Sequence, residues 1–177
     1  MSKRTFVVYV EDKPGVLNRV ASLFRRRNFN IESLNVGTTH EPGVSRMTIV
    51  AEADADKAKR IEANLYKMVN VLWVDDITGK PSLDRALALI KVKAAPEQRA
   101  EVLQICKVFR ARPVDMSLDS ISVEITGPVD KIDGLMAVLG PYGIMEMVQT
   151  GTVSMVRGSD TRDMTHPTTK ATPTKVA

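Results

Sequence analysis

Apolar and polar positions along residues 5–77 follow an order that predicts strand, helix, strand, strand, helix, strand. In the first predicted helix, the apolar positions recur every three or four residues and form one face that can pack on a sheet. These positions are Leu17, Val20, Ala21 and Phe24. The predicted strands are Thr5–Val10, Asn30–Val36, Ser45–Ala51 and Val71–Ile77, and the predicted helices are Gly15–Asn28 and Ala55–Met68.

A second half repeats this order after the break "TGKPS". The predicted strands cover residues 86–94, 113–117, 120–127 and 144–156, the last as one strand or two, and the predicted helices cover residues 96–111 and 129–143. Pro96 is expected at the first position of its helix, and Gly140-Pro141 marks a helix end. The sequence therefore predicts an α+β fold of two ferredoxin-like βαββαβ domains, residues 4–78 and residues 83–157.

Residues 158–177 differ in composition from both halves. They contain six threonines and two prolines but almost no large apolar side chains. Such a segment cannot offset the entropy lost on ordering, so it is predicted to be a flexible tail. Each βαββαβ half is small enough to have a marginal core, which favours pairing of sheets within or between chains.

Composition and charge describe an ordinary globular chain, with 44% apolar and 26% charged residues and a net charge of +4. No apolar run is long enough to span a membrane and no signal peptide opens the sequence, so a cytoplasmic location is predicted. The single cysteine, Cys106, stands at helical spacing with Val102 and Phe109. It is predicted to be a buried core thiol.

Catalytic patterns are absent from the sequence. Asp75 and Asp76 are adjacent on a predicted strand, so their side chains point to opposite faces and do not converge on one atom. The two histidines, His40 and His166, lack the spacing of a metal site. No metal or cofactor is therefore predicted in this chain, and a stand-alone enzyme is the least favoured class.

The βαββαβ order also occurs in RNA-recognition modules, which stack bases on exposed aromatic residues of their central strands. Here the first strand offers only Phe6 and Tyr9, and the third offers no aromatic residue. A ferredoxin-like RNA-binding protein is therefore a weak alternative.

The stretch "EDKPGVLNRV", residues 11–20, has the groups that a free amino acid needs. The helix start at Pro14-Gly15 offers unpaired N–H groups and the positive end of the helix dipole to a carboxylate. Gly15, without a side chain, permits close approach, and the oxygens of Asp12 and Asn30 can accept from the ammonium group. The apolar groups available to enclose an aliphatic side chain are Val16, Leu17 and Ile31.

A purely structural explanation of the same residues stays open. Asp12 would cap the helix, Pro14 would rigidify its first turn, and Asn30 would occupy a tight turn. The arginines Arg25, Arg26 and Arg27 are interpreted as a solvated helix end, where cations interact favourably with the helix dipole.

The strings "EDKPGVLNRVASLFRRRNFNIESLNVG" and "SRMTIV" together resemble the N-terminal ACT domain of the small regulatory subunits of acetohydroxyacid synthase, also called acetolactate synthase. The resemblance covers about residues 4–158 and leaves the tail unassigned. It implies an N-terminal ACT domain, a C-terminal ACT-like domain, and a subunit without an active site of its own. The implied partner is a large catalytic subunit that carries thiamine diphosphate, Mg and FAD and condenses two pyruvates, or pyruvate with 2-oxobutyrate.

The resemblance also implies feedback inhibition by a branched-chain amino acid, usually valine, with leucine and isoleucine as the other effectors. By position it assigns Asp12, Pro14, Gly15, Val16 and Leu17 of one chain, with Asn30 and Ile31 of its mate, to a site between two ACT domains. A homodimer is therefore expected. Many relatives have an amide at the position of Asp12, so the ammonium contact or the preferred effector is expected to differ here. An ACT-type sensor that serves another enzyme or a transcriptional regulator is the main alternative.

Overall fold

The computed structural model describes residues 2–158, which fall into two compact units. The first contains residues 2–83 together with residues 154–158, and the second contains residues 84–153. The predicted flexible tail, residues 158–177, and His166 within it lie outside the described residues, apart from Gly158. None of the helices in residues 2–158 combines the length and the apolar character that crossing a bilayer requires.

The first unit is an antiparallel four-stranded sheet with two helices. Its elements are β1 (Ser2–Glu11), α1 (Val16–Arg26), β2 (Ile31–Thr38), β3 (Val44–Ala53), α2 (Ala55–Tyr66) and β4 (Val71–Asp76). The strands lie side by side in the order β2-β3-β1-β4. This is the predicted βαββαβ topology, and it makes β2 and β4 the two edges of the sheet.

The helices of the first unit pack on one face of its sheet. The core contains Phe6, Val8 and Val10 from β1, Val16, Val20 and Phe24 from α1, and Ala58, Ile61 and Leu65 from α2. Thus α1 faces the sheet through positions four residues apart that begin at Val16. Leu17, which the sequence pattern places in the apolar stripe, is instead 43% exposed, because it lies one helical step of 100° from that row.

The second unit repeats the topology. Its elements are β5 (Ser82–Lys93), α3 (Arg99–Phe109), β6 (Arg112–Met116), β7 (Ser120–Gly127), α4 (Val129–Leu139) and β8 (Ile144–Gln149). The strand order is β6-β7-β5-β8. A short strand, β9 (Val153–Val156), pairs with β5; residues 154–156 of β9 and residues 82–83 of β5 belong to the first unit. The α+β prediction of two ferredoxin-like units is confirmed.

Helix boundaries in the second unit differ from the predicted ranges at three places, one of which is the end of α3 at Phe109, two residues before the predicted end. Residues 96–98 form a turn, so Pro96 is not the first helical residue; the N–H of Gln98 donates to the Ala95 carbonyl oxygen (2.9 Å), and its side-chain oxygen accepts from the Ala95 N–H (3.3 Å). The second helix of this unit, α4, ends at Leu139, and a single 3-10 turn, Gly140–Tyr142, follows it.

Cys106 lies on α3 with 1% of its surface exposed, as predicted for a core thiol. Burial raises the pKa of this thiol, because removal from water disfavours the charged thiolate. A thiol in this environment is a poor nucleophile, and its role in the fold is to fill the core.

Candidate functional site

The loop between β1 and α1 is held by backbone hydrogen bonds, one of them to the turn that precedes β3. The Asp12 N–H donates to the Gly43 carbonyl oxygen (2.8 Å), the Lys13 N–H to that of Glu11 (3.0 Å), and the Val16 N–H to that of Lys13 (3.3 Å). Pro14 and Gly15 form the turn that leads into α1. The loop is therefore a defined structure, and it leaves Pro14 and Gly15 exposed in front of α1.

Gly15 is the residue at which the helix begins, and its backbone is left-handed, with φ of 81°. For most other L-residues this conformation costs about 1–2 kcal/mol. A Cβ built on Gly15 would have no atom within 4 Å. The glycine therefore serves the backbone turn and also leaves the approach to the first helical N–H groups open.

At the start of α1 the Val16 N–H is bonded to the Lys13 carbonyl oxygen, but no side chain compensates the N–H groups that follow it in the first turn. No side chain caps the helix, and its first turn contains no acidic residue. The other three α-helices in residues 2–158 carry an acid in the first turn, and the side chain of Asp54 also caps α2. Asp12 does not act as a cap, so the structural explanation proposed for it is wrong. The positive end of α1 is available to an anion.

Exposed groups surround this helix start. Asp12 and Pro14 are exposed, and Leu17 presents an apolar side chain that is 43% exposed. The side chain of Val16 is 3% exposed and packs in the core. Of the two apolar residues predicted here, only Leu17 can therefore contact a bound molecule through its side chain.

Asn30 and Ile31 lie at the opposite end of the same sheet. Ile31 pairs with Ala51 of β3, which pairs in turn with Arg4 near the start of β1. The loop at Asp12 follows the other end of β1, where Glu11 pairs with Val44. From Arg4 to Glu11 the strand extends roughly 23 Å. A single chain therefore does not bring Asn30 and Ile31 to the Asp12–Leu17 segment.

The two edges of this sheet differ in their side chains. β2 carries Glu32 as its only ionisable residue, whereas β4 ends in Asp75 and Asp76. Charged side chains on an edge oppose pairing with another strand, and an edge with few charges permits it. Of the two edges, β2 is the better suited to pair with a second copy.

A hydrogen-bonded network behind the loop was not predicted from the sequence. The Asn70 side chain donates to Glu11 Oε2 (2.6 Å) and accepts from the Arg19 guanidinium (2.7 Å), while the Glu11 N–H donates to the Asn70 carbonyl oxygen (2.9 Å). Lys13 Nζ lies 3.0 Å from the same Glu11 oxygen. Asn70 thus joins the end of β1 to α1 from a position 59 residues along the chain, a separation that no local motif encodes.

The network affects the ionisation of Glu11. The hydrogen bond from Asn70, and after it that from Lys13, lowers the pKa of Glu11 below its ordinary value. The carboxylate therefore contributes stability that is present above the unfolded-state pKa and is lost as the pH falls through the folded-state pKa.

Asn70→Leu keeps the size of the side chain and removes both of its hydrogen bonds. We expect the pKa of Glu11 to rise in this variant. The free energy of unfolding of the variant should therefore fall below that of the unsubstituted chain by more near pH 7 than near pH 3. Urea unfolding at the two pH values measures this deficit. Asn64→Leu is the control, because the Asn64 amide donates to the carbonyl oxygen of Arg60 and, within residues 2–158, bonds no ionisable side chain. An Asn70→Leu deficit that does not change with pH would contradict the assignment.

RNA recognition would need two exposed aromatic rings on β1, and Phe6 and Tyr9 do not provide them. Phe6 is fully buried in the core, and the Arg46 guanidinium lies 5.6 Å from the centre of the Tyr9 ring and donates to its hydroxyl (3.2 Å). Base stacking on β1 would require both rings to be accessible. The sheet therefore gives no support to the RNA-binding alternative.

Two family models match the chain, one to each half. Residues 6–73 match the model described as "AHAS small subunit-like ACT domain", and residues 85–158 match the model described as "Small subunit of acetolactate synthase".

Similar proteins extend the resemblance over both halves. A protein of Archaeoglobus fulgidus described as a probable acetolactate synthase small subunit is 49% identical over 157 residues, which is 89% of this chain and 98% of the relative. The acetolactate synthase small subunit of Mycobacterium leprae is 49% identical over 154 residues, 87% of this chain and 91% of the relative. The crystal structure of the small subunit from Thermotoga maritima superposes with a TM-score of 0.83 at 34% identity, covering 89% of this chain and 99% of that chain.

Proposed function

The chain belongs to the family of acetolactate synthase small subunits, and from that premise we propose that it is a regulatory subunit without catalytic activity. In this proposal it binds the large catalytic subunit, raises its activity, and makes it sensitive to feedback inhibition by valine, leucine or isoleucine. The observation that carries the proposal is the open, uncapped start of α1 at Gly15. That feature suits the carboxylate of an amino acid.

The effector is an amino-acid zwitterion, and each of its groups has a counterpart at the site. Its carboxylate would accept hydrogen bonds from the N–H groups at the start of α1, close to Gly15. Its ammonium would bind the exposed carboxylate of Asp12, a charge-assisted contact stronger than the one a neutral amide provides. Leu17 would cover part of the aliphatic side chain.

Asn30 and Ile31 complete the site only when they come from a second copy. In a two-fold pair of antiparallel β2 strands, the start of one β2 lies beside the end of the other. The end of β2, at Thr38, pairs with Ser45, which pairs with Val10 just before the β1–α1 loop. This pairing would place Asn30 and Ile31 of one copy at the sheet end that carries Asp12 and Gly15 of the other, so the effector site requires a homodimer.

The cofactors of the reaction belong to the catalytic subunit in this proposal. Thiamine diphosphate, Mg and FAD are expected there, and this chain acts on their chemistry through its contact with that subunit. Because an effector shifts an equilibrium only by its differential affinity for two states, inhibition requires that the catalytic subunit and the effector prefer different arrangements of the ACT dimer. The cytoplasmic location stays a prediction.

Reconstitution tests the proposal directly. The purified chain is mixed with an acetolactate synthase catalytic subunit, and acetolactate formation from pyruvate is measured while valine, leucine and isoleucine are titrated separately. We expect a higher rate with the chain than without it, and inhibition by at least one of the three amino acids. The chain alone, as the control, should form no acetolactate. An unchanged rate, or copurification with an enzyme that does not use thiamine diphosphate, would favour the sensor of another enzyme.

A further inference from the structure

A groove along the seam between α1 and α2 has an unusual charge composition. It encloses about 670 Å³ and contains four cationic side chains and no acidic one. We call it the α1–α2 groove. Its lining residues are Arg19, Leu23, Arg26, Arg27, Asn64, Lys67, Met68, Val69 and Asn70.

Some cations of the first unit pair with a carboxylate, whereas others, including Arg25, Lys59 and Arg60 outside the groove, make no ion pair within residues 2–158. Lys3, Arg4, Lys13 and Lys80 each pair with a carboxylate at 2.9–3.0 Å. Within residues 2–158, Arg26, Arg27 and Lys67 make no ion pair by the same criterion. Their positions at the ends of α1 and α2 suit the helix dipoles, but the dipoles do not account for the absence of every acid from the groove.

The groove also has apolar surface and a fixed cation. Val69 is 78% exposed, and Leu23 and Met68 are partly buried and pack against the core of the first unit. Arg19 is held by its hydrogen bond to Asn70 (2.7 Å), so one donor group is oriented before any partner binds. A partner that fits this surface carries carboxylates together with at least one apolar side chain.

Asn70 connects the groove to the effector loop. Its side chain accepts from Arg19 inside the groove and donates to Glu11 at the end of β1 (2.6 Å), where the loop to Gly15 begins. A molecule in the groove would therefore contact one end of a hydrogen-bonded network whose other end, Glu11, directly precedes Asp12 of the effector loop. This is the arrangement expected if the occupant of the groove is the protein that the effector controls.

We propose that the α1–α2 groove binds an acidic, partly apolar segment of the catalytic subunit. This inference rests on the proposed regulatory function and names the surface through which the ACT domain contacts its partner. Among other polyanions, nucleic acid fits less well, because the lining has no aromatic side chain for base stacking. Inorganic phosphate would use the cations but leave the exposed Val69 uncovered.

The test compares two triple variants with the same loss of charge. Arg26→Gln, Arg27→Gln and Lys67→Gln remove three groove cations, all of them exposed. Arg25→Gln, Lys59→Gln and Arg60→Gln remove three exposed cations of the same helices that do not line the groove. Affinity of each full-length variant for the catalytic subunit is measured by calorimetry at low and at high salt.

We expect the groove variant to bind about tenfold or more weakly at low salt, and to lose most of the salt dependence that the unsubstituted chain shows. The control variant should stay within about twofold of the unsubstituted chain. Equal losses in both variants, or no loss in the groove variant, would overturn the proposal while leaving the regulatory function intact. Binding of an RNA oligonucleotide that only the groove variant loses, with catalytic-subunit binding unchanged, would overturn it as well. If the unsubstituted chain neither binds nor activates the catalytic subunit, the proposed function itself fails.

Discussion

Gly15→Asp is expected to abolish inhibition by valine while activation of the catalytic subunit is retained. The substitution places a carboxylate at the start of α1, where the carboxylate of the effector is proposed to bind. The new side chain occupies the open approach, and its charge repels the effector and satisfies the N–H groups of the first turn. We expect the concentration of valine for half-inhibition to rise at least about 100-fold, equivalent to about 2.7 kcal/mol of binding free energy.

Gly15→Asn separates this effect from backbone strain. Asn has nearly the same shape as Asp, tolerates the left-handed backbone that Gly15 adopts, and carries no charge. It should weaken inhibition less than Asp does, and both variants should lose similar stability in urea unfolding. Valine inhibition that survives Gly15→Asp would count against this site, and equal effects of Asp and Asn would assign the result to the backbone.

Mixed dimers are expected to recover an effector site that neither parent variant has. One parent is Gly15→Asp, and the other is Asn30→Lys, which places a cation where the ammonium of the effector is proposed to bind; Asn30 is exposed, so folding should be unaffected. If the site joins Gly15 of one copy to Asn30 of the other, a mixed dimer holds one intact site and one doubly altered site. Calorimetry on a purified mixed dimer should therefore find valine bound at about half of the unsubstituted stoichiometry.

The two parent dimers are the controls, and each should bind no valine at concentrations that saturate the unsubstituted chain. A mixed dimer that also binds none would indicate that the site lies within one copy, which the register of β1, β2 and β3 opposes. A monomeric chain that binds valine with unchanged affinity would contradict the requirement for a second copy outright.

The fold and the family followed from features that are local in the sequence. The spacing of Val20 and Phe24, and the alternation within each strand, indicated how each segment buries one face, and the order of the segments was sufficient to predict two βαββαβ units. The resemblance of "EDKPGVLNRV" and "SRMTIV" to acetolactate synthase small subunits is confirmed by the family models and the similar proteins. The effector site, the homodimer and the cofactors of the catalytic subunit stay predictions.

Helix starts were predicted less well than helices. Gly15 was expected to be the first residue of α1, but it is the N-cap residue, with a left-handed backbone. Pro96 was expected to be the first residue of α3, but it lies in the turn before that helix. The N–H groups of a first helical turn have no partner within the helix, so the position of the start depends on side chains and neighbouring loops. In this chain those neighbours include Gly43, which binds the Asp12 N–H from another strand connection.

Short-range periodicity thus determined which segments are helices and strands, because the pattern of burial along one element depends on residues a few positions apart. Contacts between segments that are distant in the sequence determined how the site residues, the Asn70 network and the groove are arranged. The strand register separates Asn30 and Ile31 from Glu11 by roughly 23 Å along the strand direction, which makes a second copy necessary for the proposed site. Asn70 reaches Glu11 across 59 residues, and Arg26, Arg27 and Lys67 line one groove only because α1 and α2 pack side by side on the sheet. Such contacts arise when whole elements bury their apolar faces together, and the sequence around any one of these residues does not encode them.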